Sequence, residues 1–168
     1  MLDDVATSAG LRVATANAAS GRDARGAPGH PAWVAAAAAL DVDVLGVQEV
    51  DHLLPRSGGA DQTEVLRAAL GPGWTARFAA AVHGTPGSAA TFRPAARTVA
   101  DEPSYGIALL TRLPVRSWHE LRLEGSRVRL PVPLPPGAGR RVLWAPDEPR
   151  VALAAVVAWR RRVARRRC

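Results

Sequence analysis

The sequence predicts an α/β protein in which helices flank a mixed β-sheet. Three observations support this fold class: apolar and helical segments alternate in the first half, strand-like segments follow one another in the second half, and glycine- and proline-rich stretches separate them. The chain has 168 residues, of which 48% are hydrophobic. This is enough for one domain with its own core and too little for two.

Short apolar runs bounded by turn-forming residues predict the strands. In chain order the predicted strands are 11–17, 43–48, 74–82, 105–110, 115–123 and 150–158. The run Asp43–Gln48 fits a strand that is buried on both faces. We expect 115–123 to form a hairpin with 105–110. Segments 20–29, 51–60, 83–102 and the proline-rich 131–139 are predicted loops.

Two helices are predicted between these strands. Pro31–Leu40 has proline in its first turn and an alanine-rich body. A second helix runs to Leu70, because Asp61 and Glu64 match a capping box at its start. The segment Gly71–Gly73 ends it.

The positive charge is concentrated at the end of the chain. The net charge is +7, and Trp159–Cys168 carries six arginines and no acid, which leaves 7 − 6 = +1 for the rest. We expect a domain at 11–158, an N-terminal extension at 1–10 and an unfolded arginine-rich tail at 159–168. The tail is a candidate for nucleic-acid contact, although a solvated end is the simpler interpretation.

Cysteine and apolar content predict a cytoplasmic protein. Cys168 is the sole cysteine, so neither a disulfide nor a cysteine-based zinc site can form within the chain. The start Met1–Asp4 is acidic, unlike a signal peptide. The apolar runs fall short of the ~20 residues that a membrane span needs.

Three segments carry a resemblance to a known family, in the family's order. They are Leu11–Asn17, Asp41–Asp51 with its Gln-Glu pair, and Tyr105–Val115; Arg56–Gly59, Asp61–Gln62 and Glu148–Leu153 add to it. The chain resembles the endonuclease/exonuclease/phosphatase family over about residues 11–158. This implies the first half of a four-layer α/β-sandwich like that of deoxyribonuclease I. It also implies a Mg²⁺-dependent (or Mn²⁺-dependent) hydrolase of phosphoesters in nucleic acids, phospholipids or small molecules.

Glu49 is the leading site residue, because the family's Gln-Glu glutamate binds the divalent cation. A carboxylate at the end of a buried strand suits this role: magnesium takes carboxylate oxygens and keeps waters, which leaves room for phosphate. Open α/β sheets also bind ligands at the carboxyl ends of their strands. The alternative is a solvent-facing glutamate.

The resemblance implies three further site residues. Asn17 matches an asparagine near the metal and the scissile phosphate, where an amide can serve as cation ligand or phosphate donor; it is otherwise a turn residue. Tyr105 matches a residue whose hydroxyl can donate to developing negative charge, or is a half-buried strand residue. Arg150 matches a phosphate-binding position, or has a structural role.

The sequence also departs from the family pattern. Ile107 stands where the family commonly has asparagine after the glycine. Asp51 and His52 are not the family's closing Asp-His pair, so we predict a loop or cap aspartate and a surface histidine. The family's later Thr-His-Leu, Gly-Asp-x-Asn and Asp-His segments do not follow. We therefore expect a truncated, inactive form with an out-of-frame tail, in which one sheet face is open to water.

Three functions stay open at this point. The first is a metal-dependent phosphoester hydrolase, the second a non-catalytic remnant of one, and the third a small nucleic-acid-binding protein that uses its tail. The family spans many substrates, so the substrate class is not determined by this resemblance.

The third function makes a separate prediction about residues 159–168. If the tail binds phosphates, affinity for duplex DNA will fall as salt is raised, because arginine contacts release counterions. Removal of the tail will then abolish the binding, which fluorescence anisotropy with labelled DNA can measure. Binding that survives the deletion would place the nucleic-acid contact elsewhere.

Overall fold

Five strands form the main sheet of the protein. The computed structural model describes residues 10–23, 25, 30–86, 88, 90–123, 125, 129–135, 137, 141–145 and 148–159. The strands of this sheet are β1 Val13–Asn17, β2 Val44–His52, β3 Thr75–His83, β4 Arg93–Pro94 and β5 Ser104–Thr111. Their order across the sheet is β1-β2-β5-β3-β4. β1 and β2 are parallel, and the other pairs are antiparallel. The predicted α/β fold with a mixed sheet is confirmed.

Two helices, α1 His30–Ala38 and α2 Gln62–Leu70, lie close to their predicted ranges. Asp61 caps α2 as predicted, since its Oδ1 accepts from the Glu64 N–H at 3.1 Å. The other half of the capping box is replaced, because the Glu64 carboxylate binds the Arg67 guanidinium instead. In the described part of the chain, no helix is long and apolar enough to cross a membrane.

The main core lies between the helices and one face of the sheet. The strands β2 and β5 contribute apolar residues at alternate positions, the helices contribute others, and Ala18 and Val42 come from connecting segments. Its most deeply buried members, each at most 1% exposed, are Leu45, Val47, Val50, Leu66 and Leu110. The residues Ala14, Ala16, Ala76 and Phe78 extend this core across β1 and β3.

The segment 115–123 is a strand, but the predicted hairpin with 105–110 is wrong. This strand, β6 Val115–Leu123, pairs antiparallel with β9 Arg150–Val157 in a separate two-stranded sheet. The physical reason is that β5 already pairs with β2 on one edge and β3 on the other. No free edge is left for β6, and periodicity within a strand does not reveal this.

The predicted loop at 131–139 also needs correction. Residues of β7, Leu130–Pro133, pair antiparallel with β8, Val142–Ala145. Both strands of a two-stranded sheet have an outer edge that needs no hydrogen bonds, so prolines are tolerated there. The proline content therefore did not exclude a strand.

The second face of the main sheet is covered over β3 and β5, where we expected a face open to water, while Val13 of β1 on this face is 63% exposed. The β6–β9 pair packs against β3 and β5. Arg77 of β3 binds Glu120 at 3.2 Å, Arg122 donates to the Ala80 carbonyl, and Val151 is buried. Exposed apolar side chains lie instead on the outer face of this pair: Leu121, Leu123 and Val156.

The strand β2 is longer than predicted and ends at His52 rather than Gln48. The sequence predicts a loop or cap aspartate at Asp51 and a surface histidine at His52, and both predictions are wrong. The two residues lie in this strand and are 0% and 8% exposed. A charged and a titratable residue at the end of a strand resemble a loop in composition, and only their pairing with Tyr105 and Ser104 of β5 places them in the sheet.

Near Gly106, the pairing of β5 is irregular with both of its neighbours, β2 and β3. The β2–β5 register shifts between Val47 and Val50, and the β3–β5 register shifts between Ala80 and Val82. Each shift inserts one extra residue, which is a β-bulge. A Cβ on Gly106 would lie 2.0 Å from the carbonyl oxygen of Ala79, so only glycine allows this approach.

Substitution of Gly106 tests the importance of this approach. We expect Gly106→Ala to lower the free energy of unfolding by about 3 kcal/mol, because the backbone of β3 must move away. Urea denaturation measures the change. Gly46→Ala is the matched control in β2, where the nearest atom is 3.8 Å away and the effect should stay within about 1 kcal/mol. Equal effects of the two substitutions would contradict the steric argument.

Candidate active site

Asn17 and Glu49 meet at the carboxyl edge of the two parallel strands. Asn17 pairs with Gln48 in the β1–β2 register, so Glu49 lies one residue beyond this pair. The Asn17 Nδ2 donates to the Glu49 Oε1 at 2.8 Å. The Asn17 Oδ1 accepts from the Ala19 N–H at 2.8 Å, which fixes the orientation of the amide. Two residues 32 positions apart are thereby brought into direct contact.

The backbone at Glu49 has an unusual conformation. Its φ is 55°, in the left-handed region that few residues other than glycine adopt. Glu49 also lies inside the β2 bulge, between Val47 and Val50. Bulges redirect side chains and occur often beside active sites. The half-buried Glu49 side chain therefore leaves the regular alternation of the strand.

Tyr105 lies on the neighbouring strand, directly opposite Asp51 of β2 and Val82 of β3. Its phenol is half-buried. Burial, and after it the negative charge of Glu49, raise the pKa of Tyr105 to about 12, while the positive charge of Arg56 acts in the opposite direction. The electrostatic influence of Glu49 shows that the phenol shares the environment of the predicted site. At neutral pH the phenol keeps its proton and can donate a hydrogen bond.

A buried carboxylate and an arginine lie next to Tyr105. Asp51 has a side chain that is 0% exposed, and Arg56 binds it in a two-pronged arrangement: Nε to Oδ2 at 2.9 Å and Nη2 to Oδ1 at 2.6 Å. Arg56 belongs to a short 3-10 helix, Pro55–Ser57. Its Nη2 also donates to the Ser20 Oγ at 2.9 Å, and its Cζ lies 5.3 Å from the centre of the Tyr105 ring.

Gln62, at the first turn of α2, joins two parts of this network. It is 0% exposed. Its Oε1 accepts from the Asp51 N–H at 2.8 Å, and its Nε2 donates to the Ser20 carbonyl at 2.8 Å. In the sequence, Arg56 and Gln62 stand out only as part of a family resemblance, and nothing there reveals their common contacts with Ser20.

Arg150 and Glu148 lie at and before the start of β9. Arg150 is exposed, is paired in register with Leu123, and lines a cavity of about 350 Å³ together with Arg122. Glu148 raises the pKa of Tyr105 through its charge, although less than Glu49 does. Residue spacing in the sequence does not reveal this influence of Glu148 on the phenol.

The histidines of the described residues near this edge have structural partners. His52 stacks on Phe78 with ring centres 5.2 Å apart, and its Nε2 lies 2.6 Å from the Ala100 carbonyl. His83 is 3% exposed, with its Nδ1 2.8 Å from the Ser104 Oγ. Burial lowers the pKa of His83, so it is neutral at physiological pH.

The donor set at Glu49 suits a hard cation that keeps most of its water. Among the described residues, no group of three or more histidine, cysteine, aspartate or glutamate side chains could enclose a metal. Magnesium needs no such enclosure, because it is often bound through one or two carboxylates together with substrate phosphate. Glu49 supplies one carboxylate, and Asn17 holds it in place through Nδ2. The residues present therefore fit Mg²⁺ or Mn²⁺.

The comparison with solved structures agrees with the predicted fold. A crystal structure of an endonuclease/exonuclease/phosphatase from Beutenbergia cavernae DSM 12333 superposes with a TM-score of 0.53 at 23% sequence identity. The match covers 88% of this chain and 34% of that chain. This chain therefore shares the fold of that protein and spans about a third of its length. No protein-family model matches the sequence, and no curated protein matches it.

The pKa of Tyr105 gives a pH dependence with a definite sign. The folded protein keeps the phenolic proton above pH 10.0, where an ordinary tyrosine loses it, up to about pH 12. Its contribution to the free energy of unfolding is fully present below pH 10.0 and is lost as the pH rises through about 12.

Glu49→Gln should lower the pKa of Tyr105, because a negative charge that opposes phenolate formation is removed. The value should stay above 10.0, since burial of the phenol is unchanged. Tyr105 is the sole tyrosine, so tyrosinate absorbance in metal-free buffer reports on it alone. Glu64→Gln, on the exposed face of α2, is the control and should leave the pKa unchanged. If both variants titrate like the wild type, Glu49 does not lie near the phenol.

Proposed function

We propose that this chain forms the cation-binding part of a metal-dependent phosphoester hydrolase centre. Glu49 binds Mg²⁺ or Mn²⁺, Asn17 holds the Glu49 carboxylate, and Tyr105 donates to a phosphate oxygen. The observation that carries the proposal is the 2.8 Å contact between Asn17 Nδ2 and Glu49 Oε1 at the carboxyl edge of parallel strands. The fold shared with an endonuclease/exonuclease/phosphatase supports it.

Each residue has a chemical task that its environment favours. When bound, the cation would withdraw electron density from the phosphate and compensate its charge. Asn17 holds the Glu49 carboxylate through Oε1, and we assign Oε2 to the cation. The Tyr105 phenol, with its raised pKa, stays a donor at every pH at which a hydrolase would work.

Asn17 has a more specific place in this proposal than the sequence suggested. Its amide nitrogen is directed at Glu49 and its oxygen at the Ala19 N–H. This arrangement favours a supporting contact to the ligand carboxylate, of the kind that orients metal ligands in other proteins. Direct ligation by the Asn17 oxygen, through its second lone pair, stays a prediction.

A second function, binding of cation and phosphate without turnover, is favoured by one observation. Hydrolysis needs a general base near the attacking water. In the described part of the chain, His52 and His83 are buried with other partners, and no cluster of three candidate metal ligands forms. The predicted inactive remnant is therefore the alternative. The substrate class, the cytoplasmic location and the nucleic-acid contact of the tail stay predictions.

Binding of Mn²⁺ and Mg²⁺ tests the proposal. We expect calorimetry on the folded chain to show uptake of one cation, and Glu49→Gln to abolish it because the ligand carboxylate is lost. Asn17→Ala should weaken binding by about tenfold, as loss of a supporting contact does. Hydrolysis of bis(p-nitrophenyl) phosphate in the same samples separates the two functions: turnover supports the hydrolase, and cation uptake without turnover supports the remnant.

Glu64→Gln is the control for this experiment, because Glu64 is an exposed carboxylate that binds Arg67. It should leave cation affinity unchanged. Absence of uptake by the wild-type chain, or uptake that Glu49→Gln does not affect, contradicts the proposal.

A further inference from the structure

Arg56 contacts the three segments that carry the candidate site residues. Through Ser20 it reaches the loop that follows Asn17, at 2.9 Å. Through Asp51 it reaches β2 two residues beyond Glu49, and its guanidinium lies on the ring of Tyr105. Arg56 itself is fixed within a 3-10 helix that begins with Pro55 and is capped by Gly58 in the left-handed conformation.

The loop after Asn17 has a backbone that needs such support. Ala19, Ser20 and Gly21 have φ values of 47°, 58° and 68°, all in the left-handed region. Residues other than glycine hold this conformation only when surrounding contacts impose it. Ser20 is 1% exposed, and its side chain and carbonyl are bound by Arg56 and Gln62.

A change in this loop would reach Glu49 directly. The Ala19 N–H donates to the Asn17 Oδ1, and the Asn17 Nδ2 donates to Glu49. If the loop relaxes, Asn17 loses the contact that fixes its amide, and Glu49 loses its partner. The position of Tyr105 depends on Arg56 as well. Arg56 binds Asp51, which is fully buried and lies opposite Tyr105 in the β2–β5 pairing.

We propose that Arg56 is the positioning residue of the site: by binding Asp51 and Ser20 at once, it holds Asn17, Glu49 and Tyr105 in the arrangement that accepts a cation and a phosphate. The cation in this inference rests on the proposed function. The positioning of the three side chains by Arg56 does not. The fork of the guanidinium is essential, because one planar group must reach two oxygens of Asp51 and the Ser20 hydroxyl. Lysine can supply the charge but not these three contacts.

The chain offers two probes that report on this arrangement alone. Asn17 is the sole asparagine and Tyr105 the sole tyrosine. Protein labelled with ¹⁵N-asparagine therefore gives one side-chain amide pair in an NMR spectrum, and protein with a labelled tyrosine ring gives one ring. Both signals can be observed in metal-free buffer and again after addition of Mg²⁺. Neither signal depends on turnover.

We expect Arg56→Lys to move the Asn17 amide and Tyr105 ring resonances in the absence of metal and to weaken Mg²⁺ binding by about tenfold or more. Arg67→Gln is the matched control, since Arg67 also binds a carboxylate through two nitrogens but lies on α2 away from the site. It should change neither the two resonances nor the affinity. Arg56→Lys spectra and affinity equal to those of wild type would overturn the inference.

A second variant separates positioning from folding, because Arg56 substitutions leave the buried Asp51 carboxylate without its partner. The double variant Asp51→Asn, Arg56→Gln removes both charges. We expect its melting temperature to recover toward wild type while Mg²⁺ affinity stays reduced and the Asn17 amide stays displaced. Recovery of affinity and resonances together with stability would show a purely structural role and overturn the inference.

The outcomes also distinguish this inference from the proposed function. If wild-type protein binds no Mg²⁺ while Arg56→Lys displaces both resonances, the proposed function fails and the positioning role stands. If wild type binds Mg²⁺ through Glu49 and Arg56→Lys changes nothing, the proposed function stands and the positioning role fails.

Discussion

The burial of one carboxylate governs the arrangement of the candidate site. Asp51 has no exposed side-chain surface, and a buried charge is tolerated only with a close partner and satisfied hydrogen bonds. Arg56 supplies both, and because a guanidinium has five donors, it can also bind Ser20. The arginine that neutralises this one charge therefore connects the end of β2, the loop after β1 and the first residues of β5.

The bulges beside Gly106 give the same region its unusual backbone. They place an extra residue in each neighbour of β5, and the missing side chain of Gly106 lets β3 approach. One bulge carries Glu49 out of the alternation of its strand. Regular pairing builds the core on the helix side, and the irregular pairing sets the site apart from it.

The electrostatics of the site are uneven, and this favours different roles for its members. The half-buried Glu49 is held by an amide rather than by a positive charge, so its carboxylate remains available to a cation. Burial of the Tyr105 phenol and the negative charges of Glu49 and Glu148 raise its pKa and keep it protonated. The positive charge of Arg56 is taken up by Asp51. A carboxylate held by an amide therefore lies beside a protonated donor, as the proposed site requires.

The sequence alone determined the fold class, the cap of α2 and the position of Asn17 at the end of its strand, because local periodicity, turn chemistry and short motifs carry that information. It also predicted Glu49 just beyond a strand, whereas β2 continues past Glu49 to His52. It did not determine that β6 pairs with β9, since this depends on both edges of β5 being occupied. Nor did it reveal the burial of Asp51 and His52, or the role of Arg56. Those depend on contacts between segments distant in the chain, such as Arg56 with Ser20, and only the tertiary structure brings such segments together.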